Sequence, residues 1–116
     1  MLLVDDDDAF RTATRKGLER SGFVVFDLPT GVGIESEVDR QAVDVVVTDL
    51  LMPEREGCES IMALRAARPD LPIVVVTGSG YGKTAVTMGA SCCLNKPVSL
   101  DSLRQTIRNQ AAREDG

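Results

Sequence analysis

The sequence predicts an α/β fold with a doubly wound, five-stranded parallel sheet. Short apolar runs alternate with segments at helical spacing along all 116 residues. The run Val45, Val46 and Val47 is uniformly apolar, as is typical of a central parallel strand covered on both faces. Polar residues stand just past the ends of four such runs. Five βα units in succession predict the strand order 2-1-3-4-5.

The first βα unit occupies residues 2–22. Residues 2–5 predict a short buried strand, and Asp7 or Asp8 is suited to cap the helix that follows, since carboxylates are favoured at helix N-termini. The expected inward stripe of this helix is Phe10, Thr14, Gly17, Leu18 and Ser21. Gly22 predicts a left-handed end to the helix.

The second and third units follow the same alternation. Residues 23–26 predict the second strand, and Thr30 is expected to cap a helix to about Arg40, which two internal glycines weaken. Residues 43–48 predict the third strand and residues 58–68 the third helix. The expected inward residues of the third helix are Cys58, Ile61, Met62 and Leu64.

The fourth and fifth units complete the sheet. Residues 72–76 predict the fourth strand, and a glycine-rich loop precedes a short helix at about residues 83–88. Residues 91–94 predict the fifth strand, and Ser99 is expected to cap the last helix. The inward residues expected on that helix are Leu100, Leu103, Ile107 and Ala111.

Composition limits the classes of function. A chain of 116 residues predicts a single domain over residues 1–116. The net charge of −5 argues against nucleic-acid binding by the chain itself. The chain has no histidine, which excludes histidine-based zinc sites, Ser–His dyads and phosphohistidine formation on this chain. We expect no membrane segment and no signal peptide, because the apolar stretches are short and the first runs directly into acids.

The cysteines predict a reducing compartment. Cys58, Cys92 and Cys93 fit no CxxC spacing, and an odd number with two adjacent is a poor disulfide framework. We therefore expect a cytoplasmic protein. On a strand, Cys92 and Cys93 would face opposite sides of the sheet as small core residues.

Chemistry-bearing side chains follow the strands. Asp5 and Asp6 come after the first strand, Asp49 after the third, Thr77 after the fourth and Lys96 after the fifth. In an open parallel sheet this edge is where ligands bind. Three carboxylates placed together repel one another, and a hard divalent cation such as Mg²⁺ resolves the repulsion. A lysine adds a compact positive charge beside them, and a threonine adds a hydroxyl donor.

Each of these signals has a plainer explanation when taken alone. Acid runs at strand ends are most often solvated caps, a single Asp after a strand is usually inert, and Lys-Pro is usually a turn. The combination, in this order at these strand ends, favours a site for a phosphoryl-accepting carboxylate beside a divalent cation.

The same residues resemble the receiver family of response regulators in two-component signal transduction. The resemblance extends over essentially the whole chain and implies a CheY-like, flavodoxin-like (βα)5 fold. The segments that carry it are residues 3–7 (LVDDD), 49–53 (DLLMP) with Gly57, 76–78 (VTG), 89–90 (GA) and 96–97 (KP).

The resemblance implies roles for the site residues. Asp49 would be the phosphoacceptor of a phosphorelay, and Asp6 would bind Mg²⁺, or Mn²⁺ as an alternative, together with Asp49 and the backbone carbonyl of Leu51. Asp5 would hold the ion through water. Lys96 would pair with the phosphoryl group and Thr77 would turn inward to bond it. The Lys96–Pro97 peptide bond would be cis.

The resemblance also implies partners. The phosphoryl donor would be a histidine kinase or a phosphotransfer protein, and a downstream protein target would read the altered surface. We expect no membrane partner, a monomer or weak homodimer, and a switch rather than a turnover enzyme. The stretch at residues 52–57, together with the altered position at Cys93, looks more like those of stand-alone receivers. A fragment of a larger regulator or hybrid kinase is the alternative.

The chain departs from the family pattern in two places. Receivers often carry Tyr or Phe three residues before the lysine, where this chain has Cys93, so the usual coupling of that aromatic residue to Thr77 is missing. The segment at residues 77–89 is also a few residues short, which predicts a shortened fourth helix.

Two other functions compete with a phosphorylated receiver. A degenerate receiver would serve as a phosphorylation-independent binding module, but all five site positions are intact. A phosphatase of the haloacid-dehalogenase type also forms an aspartyl phosphate, and residues 5–7 superficially supply its Asp-x-Asp motif. That family requires a different continuation from Asp8-Ala9, and this chain has no matching late acidic pair.

Overall fold

The computed structural model of the chain describes residues 1–49, 57–78 and 82–115. Its strands form one parallel sheet in the order β2-β1-β3-β4-β5, as predicted. The strands are β1 (Leu2–Val4), β2 (Phe26–Leu28), β3 (Val46–Thr48), β4 (Ile73–Thr77) and β5 (Cys92–Asn95). The helices are α1 (Asp8–Arg20), α2 (Ile34–Arg40), α3 (Gly57–Ala67), α4 (Gly82–Thr87) and α5 (Leu100–Asp115).

Alternate side chains of the strands feed two separate cores, one on each face of the sheet. One core joins Val4, Val46 and Val75 to Ile34 of α2 and Leu64 of α3. The other core lies under α1 and α5, and its central members are Leu3, Val47, Val74, Leu18, Leu103 and Ile107. The strands are therefore apolar on both faces, as a doubly covered parallel sheet requires.

The adjacent cysteines of β5 face opposite sides, as predicted. Cys92 packs against the core under α1 and α5, whereas Cys93 packs against the core under α2 and α3. Neither cysteine forms a disulfide bond within the described part of the chain. Their small side chains fill space on the two faces of the edge strand.

The second βα unit differs from its prediction. The strand lies at β2 and not at residues 23–26, because Leu2 of β1 pairs with Phe26. Val24 lies outside the sheet and is 70% exposed. α2 begins after Gly33, not at Thr30, whose hydroxyl accepts a hydrogen bond from the Val32 amide in a local turn instead.

The other helices match their predictions more closely, although Leu100 at the start of α5, expected to face inward, is 37% exposed. Asp7 caps α1 by accepting a hydrogen bond from the Phe10 amide, at 3.1 Å. In α3, Ile61 and Leu64 are buried as expected, but Met62 is mainly exposed, so its inward assignment is wrong. The 100° step between residues carries Met62 away from the stripe that its neighbour Ile61 shares with Leu64. α4 has six residues, which confirms a short fourth helix.

Some predictions fall on residues outside the described ranges. The loop at residues 52–56 and the glycine-rich stretch at residues 79–81 are among them. Within the described ranges, no helix combines the length and apolar character needed to span a bilayer.

Arg65 of α3 binds the turn between α4 and β5. Its Nε donates to the Gly89 carbonyl at 2.9 Å, and its Nη1 donates to the Pro69 carbonyl at 2.7 Å. Gly89 has φ +117°, and a Cβ built there would lie 2.9 Å from Cγ of Arg65. The turn thus needs glycine for its backbone conformation and for its close contact with the arginine stem.

Gly89→Ala should lower the free energy of unfolding by more than Gly22→Ala does. Both positions have positive φ, which costs a non-glycine residue about 1–3 kcal/mol. A Cβ at Gly22 meets no atom within 4 Å, so that variant isolates the backbone strain. Urea unfolding of both variants measures the difference, and equal losses would show that Arg65 moves aside freely.

Candidate functional site

The predicted site residues stand at the carboxyl edge of the sheet. Asp5 directly follows β1, Asp49 follows β3, and Lys96 follows β5, while Thr77 is the last residue of β4. Their main chains extend the strand ladders. The Asp49 amide donates to the Val4 carbonyl at 3.1 Å, and the Lys96 amide donates to the Thr77 carbonyl at 2.8 Å. The sheet itself therefore fixes where these side chains begin.

Lys96 joins the two buried carboxylates. Its Nζ lies 2.8 Å from Oδ2 of Asp5 and 3.0 Å from Oδ2 of Asp49. Asp5 is 1% exposed and Asp49 is 9% exposed, so both acids lie in a place where water screens charge poorly. The ammonium group supplies the positive charge that this pair of carboxylates requires.

The pKa values of Asp5 and Lys96 are both raised. Burial raises the pKa of Asp5, and the bonds from Lys96 and from the Asp7 amide oppose that effect without cancelling it. Burial alone would lower the pKa of Lys96, but its hydrogen bonds to Asp5 and Asp49 outweigh this and hold it above its usual value. Lys96 is therefore a fixed positive charge at neutral pH.

Asp6 completes an acidic cluster with Asp5 and Asp49. One carboxylate oxygen from each of the three lies within 4.8 Å of the others. Asp6 is exposed to solvent, whereas the other two acids are buried. Three carboxylates against one ammonium leave an excess of negative charge, and oxygen donors of this kind fit a hard divalent cation.

Two residues of α1 belong to the site although the sequence did not reveal them as such. The Phe10 ring, predicted as part of the inward stripe, lies 4.5 Å from Nζ of Lys96 in a cation–π contact. Arg11 donates from Nη1 to the carbonyl of Asp5 at 2.7 Å. The sequence did contain one signal for Arg11. It is a basic residue near the start of a helix, where acidic residues are normally favoured, and it comes shortly after four acids.

Thr77 ends β4, and Cys93 lies in β5 three residues before Lys96. Thr77 is 1% exposed, and within the described part of the chain its hydroxyl has no hydrogen-bond partner. Burial and the negative charge of Asp49 raise the pKa of the Cys93 thiol. The backbone carbonyl of Leu51, predicted as a metal ligand, lies outside the described residues. The Lys96–Pro97 peptide bond is cis, as predicted.

A family model matches most of the chain. Residues 1–108 match the response regulator receiver domain. The photosynthetic apparatus regulatory protein RegA of Rhodobacter capsulatus is 36% identical over 92% of this chain, and the sensor kinase CckA of Brucella abortus is 32% identical over 99% of it. The chain spans 60% of the length of RegA and 13% of that of CckA.

A solved structure has the same fold. The CheY-like response regulator receiver domain protein from Methanospirillum hungatei superposes with a TM-score of 0.90 at 26% identity. The match covers 98% of this chain and 94% of that one. The likeness therefore extends over the whole sheet and its helices.

Lys96→Met should destabilise the metal-free protein. The substitution leaves Asp5 and Asp49 facing each other without a counter-charge, which we expect to cost about 1–3 kcal/mol, less than a fully buried pair because Lys96 is partly solvated. Thermal unfolding in EDTA measures the loss. Mg²⁺ should then raise the melting temperature more in Lys96→Met than in the native chain.

The matched control for this experiment is Lys16→Met. Lys16 is an exposed lysine of α1 that makes no ion pair among the described residues. It should change neither the stability in EDTA nor the response to Mg²⁺. A Lys96→Met protein as stable as this control in EDTA would show that the acidic pair does not need the lysine.

Proposed function

This chain belongs to the family of response regulator receiver domains, and we propose that it accepts a phosphoryl group on Asp49. The donor would be the phosphohistidine of a partner histidine kinase or phosphotransfer protein in a two-component phosphorelay. The observation that carries the proposal is the partly buried contact of Asp49 with Lys96, which also binds Asp5 at the same strand edge. Receiver domains interact with histidine kinases, and the relatives of this chain include sensor kinases.

In the proposed transfer, a carboxylate oxygen of Asp49 attacks the phosphorus atom. A new P–O bond forms while the P–N bond of the donor histidine breaks, and the electron pair of that bond stays on the imidazole nitrogen. Lys96 begins with its ammonium 3.0 Å from Asp49, so it is already placed to pair with the incoming negative charge. The lack of histidine in this chain is consistent with a donor on another molecule.

Asp5, Asp6 and Asp49 would hold Mg²⁺, with Mn²⁺ as the alternative ion. The backbone carbonyl of Leu51 is a further proposed ligand. When bound, the ion would offset the negative charge that gathers where the phosphoryl group meets the carboxylates. The acids that would hold it come from β1 and β3, so the ion would also join two neighbouring strands.

Thr77 is the proposed switch residue. Its buried hydroxyl, without a partner in the described ranges, has a free donor to offer a phosphoryl oxygen. Cys93 cannot repeat the aromatic movement of other receivers because its side chain is small and packs into the core under α2 and α3. We propose that the signal passes instead from the end of β4 to the short α4.

The remaining features of the function are also proposals. We propose a single receiver domain over residues 1–116, present in the cytoplasm as a monomer or weak homodimer, that acts as a switch and not as a turnover enzyme. Its net charge of −5 supports protein partners over nucleic acid. The downstream partner would be a protein that reads the surface around α4.

Incubation with acetyl phosphate and Mg²⁺ should add one phosphoryl group to the native chain, visible in its intact mass. The adduct should be absent in EDTA and in Asp49→Asn, because the amide keeps the shape of the carboxylate but cannot act as the nucleophile. Asp44→Asn is the matched control, since Asp44 is an exposed acid next to the same strand.

Two results would contradict this proposal. An adduct retained by Asp49→Asn would place the acceptor elsewhere. No adduct at all, together with no change in the amide NMR shifts on adding beryllofluoride, would favour a phosphorylation-independent binding module. Steady turnover of p-nitrophenyl phosphate would instead favour a phosphatase.

Thr77→Val should leave phosphorylation intact and remove the structural response. Valine keeps the shape of the side chain but has no hydroxyl to bond the phosphoryl group, whereas Thr77→Ser keeps that hydroxyl. Amide NMR shifts of α4, recorded before and after beryllofluoride, should change in the native chain and in Thr77→Ser. The same changes in Thr77→Val would rule out Thr77 as the switch.

A further inference from the structure

We propose that Arg11 is the positioning residue of the cation site, because it fixes the main chain that carries Asp6. The inference rests on the cation site of the proposed function. Arg11 reaches that site through the Asp5 carbonyl and not through the carboxylates that would bind the ion. It would therefore set the geometry of the ligands without competing for them.

Arg11 connects three parts of the fold with one guanidinium group. Its Nη1 donates to the carbonyl of Asp5 at 2.7 Å, its Nε donates to Asp27 of β2 at 3.0 Å, and its Nη2 donates to Asp8 of α1 at 2.6 Å. The side chain is 13% exposed. A planar, forked donor in a largely buried place keeps these directions fixed, which a lysine cannot do.

Asp6 needs this support because its own side chain has none. It is exposed, and in the described part of the chain its carboxylate makes no hydrogen bond or ion pair. By contrast, the carboxylates of Asp5 and Asp49 are both held by Lys96. The direction of Asp6 therefore depends on its main chain.

Arg11 controls that main chain directly. The carbonyl of Asp5 belongs to the peptide unit that joins Asp5 to Asp6, and the peptide unit is planar. A hydrogen bond to this carbonyl therefore fixes the orientation of the peptide plane that contains the nitrogen and Cα atoms of Asp6. On the far side of Asp6, the amide of Asp7 donates to Oδ1 of Asp5 at 2.9 Å. Asp6 is thus held between two fixed peptide units.

Charge and positioning predict opposite effects for Arg11. If the arginine acted through its charge alone, removing it would strengthen cation binding, because a nearby positive charge repels a cation. If it positions Asp6, removing it should weaken binding, as loss of residues that orient metal ligands does. The sign of the change therefore decides between the two.

The test is calorimetric titration of Mg²⁺ into the full chain. Arg11→Gln should bind Mg²⁺ about tenfold more weakly than the native chain. Arg11→Lys should also bind more weakly although it keeps the charge, because one ammonium group cannot replace the three directed contacts. If Arg11→Gln fails to fold, Arg11→Lys carries the test.

Arg15→Gln is the matched control. Arg15 lies one turn further along α1 and binds the same Asp27, at 2.7 Å, but its hydrogen bonds go to Asp27 and not to the Asp5 carbonyl. Removing it deletes a similar charge without releasing the peptide unit. Binding of Mg²⁺ should therefore be unchanged or slightly tighter in Arg15→Gln.

Metal preference gives a second readout that a general loss of stability would not change. Mg²⁺ demands near-octahedral ligands, whereas Ca²⁺ accepts variable geometry. Arg11→Gln should therefore lose affinity for Mg²⁺ more than for Ca²⁺, so the ratio of the two affinities falls. A misfolded protein would lose both together.

Failure of this inference is distinct from failure of the proposed function. If the native chain binds no Mg²⁺, the cation site is wrong and the role of Arg11 falls with it. If the native chain binds Mg²⁺ and both Arg11 variants bind it as well or better, the cation site stands and the positioning role is overturned.

Discussion

The bond of Lys96 to two buried carboxylates is the interaction on which the site depends. Asp5 and Asp49 come from neighbouring strands, so the order of the sheet brings two like charges together at its edge. Placing them there without a counter-charge would oppose folding. The lysine after β5 reaches across β4 to supply it, and so the charge balance of the site joins β5 to the centre of the sheet. The fold and the chemistry share this one contact.

The same arrangement explains why the site is ready for a cation. One ammonium group does not balance three acids, and the third acid, Asp6, is exposed to solvent. The cation–π contact with Phe10 restrains the lysine without using any of its hydrogen bonds. The buried acids are thus already ordered, and Asp6 is the carboxylate whose placement rests on the main chain.

Sequence reasoning predicted the sheet order and the strand ends because both follow from strong local patterns. Apolar runs such as 45–47 and 73–76 are unambiguous, and a polar residue at the end of each is easily seen. It failed where tertiary pairing decides. Phe23 and Val24 have strand-like side chains, but β1 pairs with Phe26, which no local signal indicates. Thr30 is of a residue type that often caps helices, yet its hydroxyl accepts a hydrogen bond within a turn, and α2 begins only after Gly33.

The contacts that Arg11 and Phe10 make with the site were not predicted from the sequence, for a different reason. Their contacts reach residues that are distant in the chain, with Asp27 and Lys96 as partners, and helical spacing describes only which side of α1 they occupy. Periodicity identifies a buried face but does not say which polar group that face will meet. The same holds for any site at the end of a strand where the first turn of the next helix packs against the site residues.

The last main-chain hydrogen bonds of the sheet are made by the site residues themselves, through the amides of Asp5, Asp49 and Lys96. These bonds do not involve side chains, so any residue type except proline can form them at positions 5, 49 and 96. The reactive groups can accordingly be exchanged without loss of these main-chain bonds, provided that the charges of the site remain balanced. Related sequences with other residues at these positions could therefore differ in reactivity while keeping the same fold.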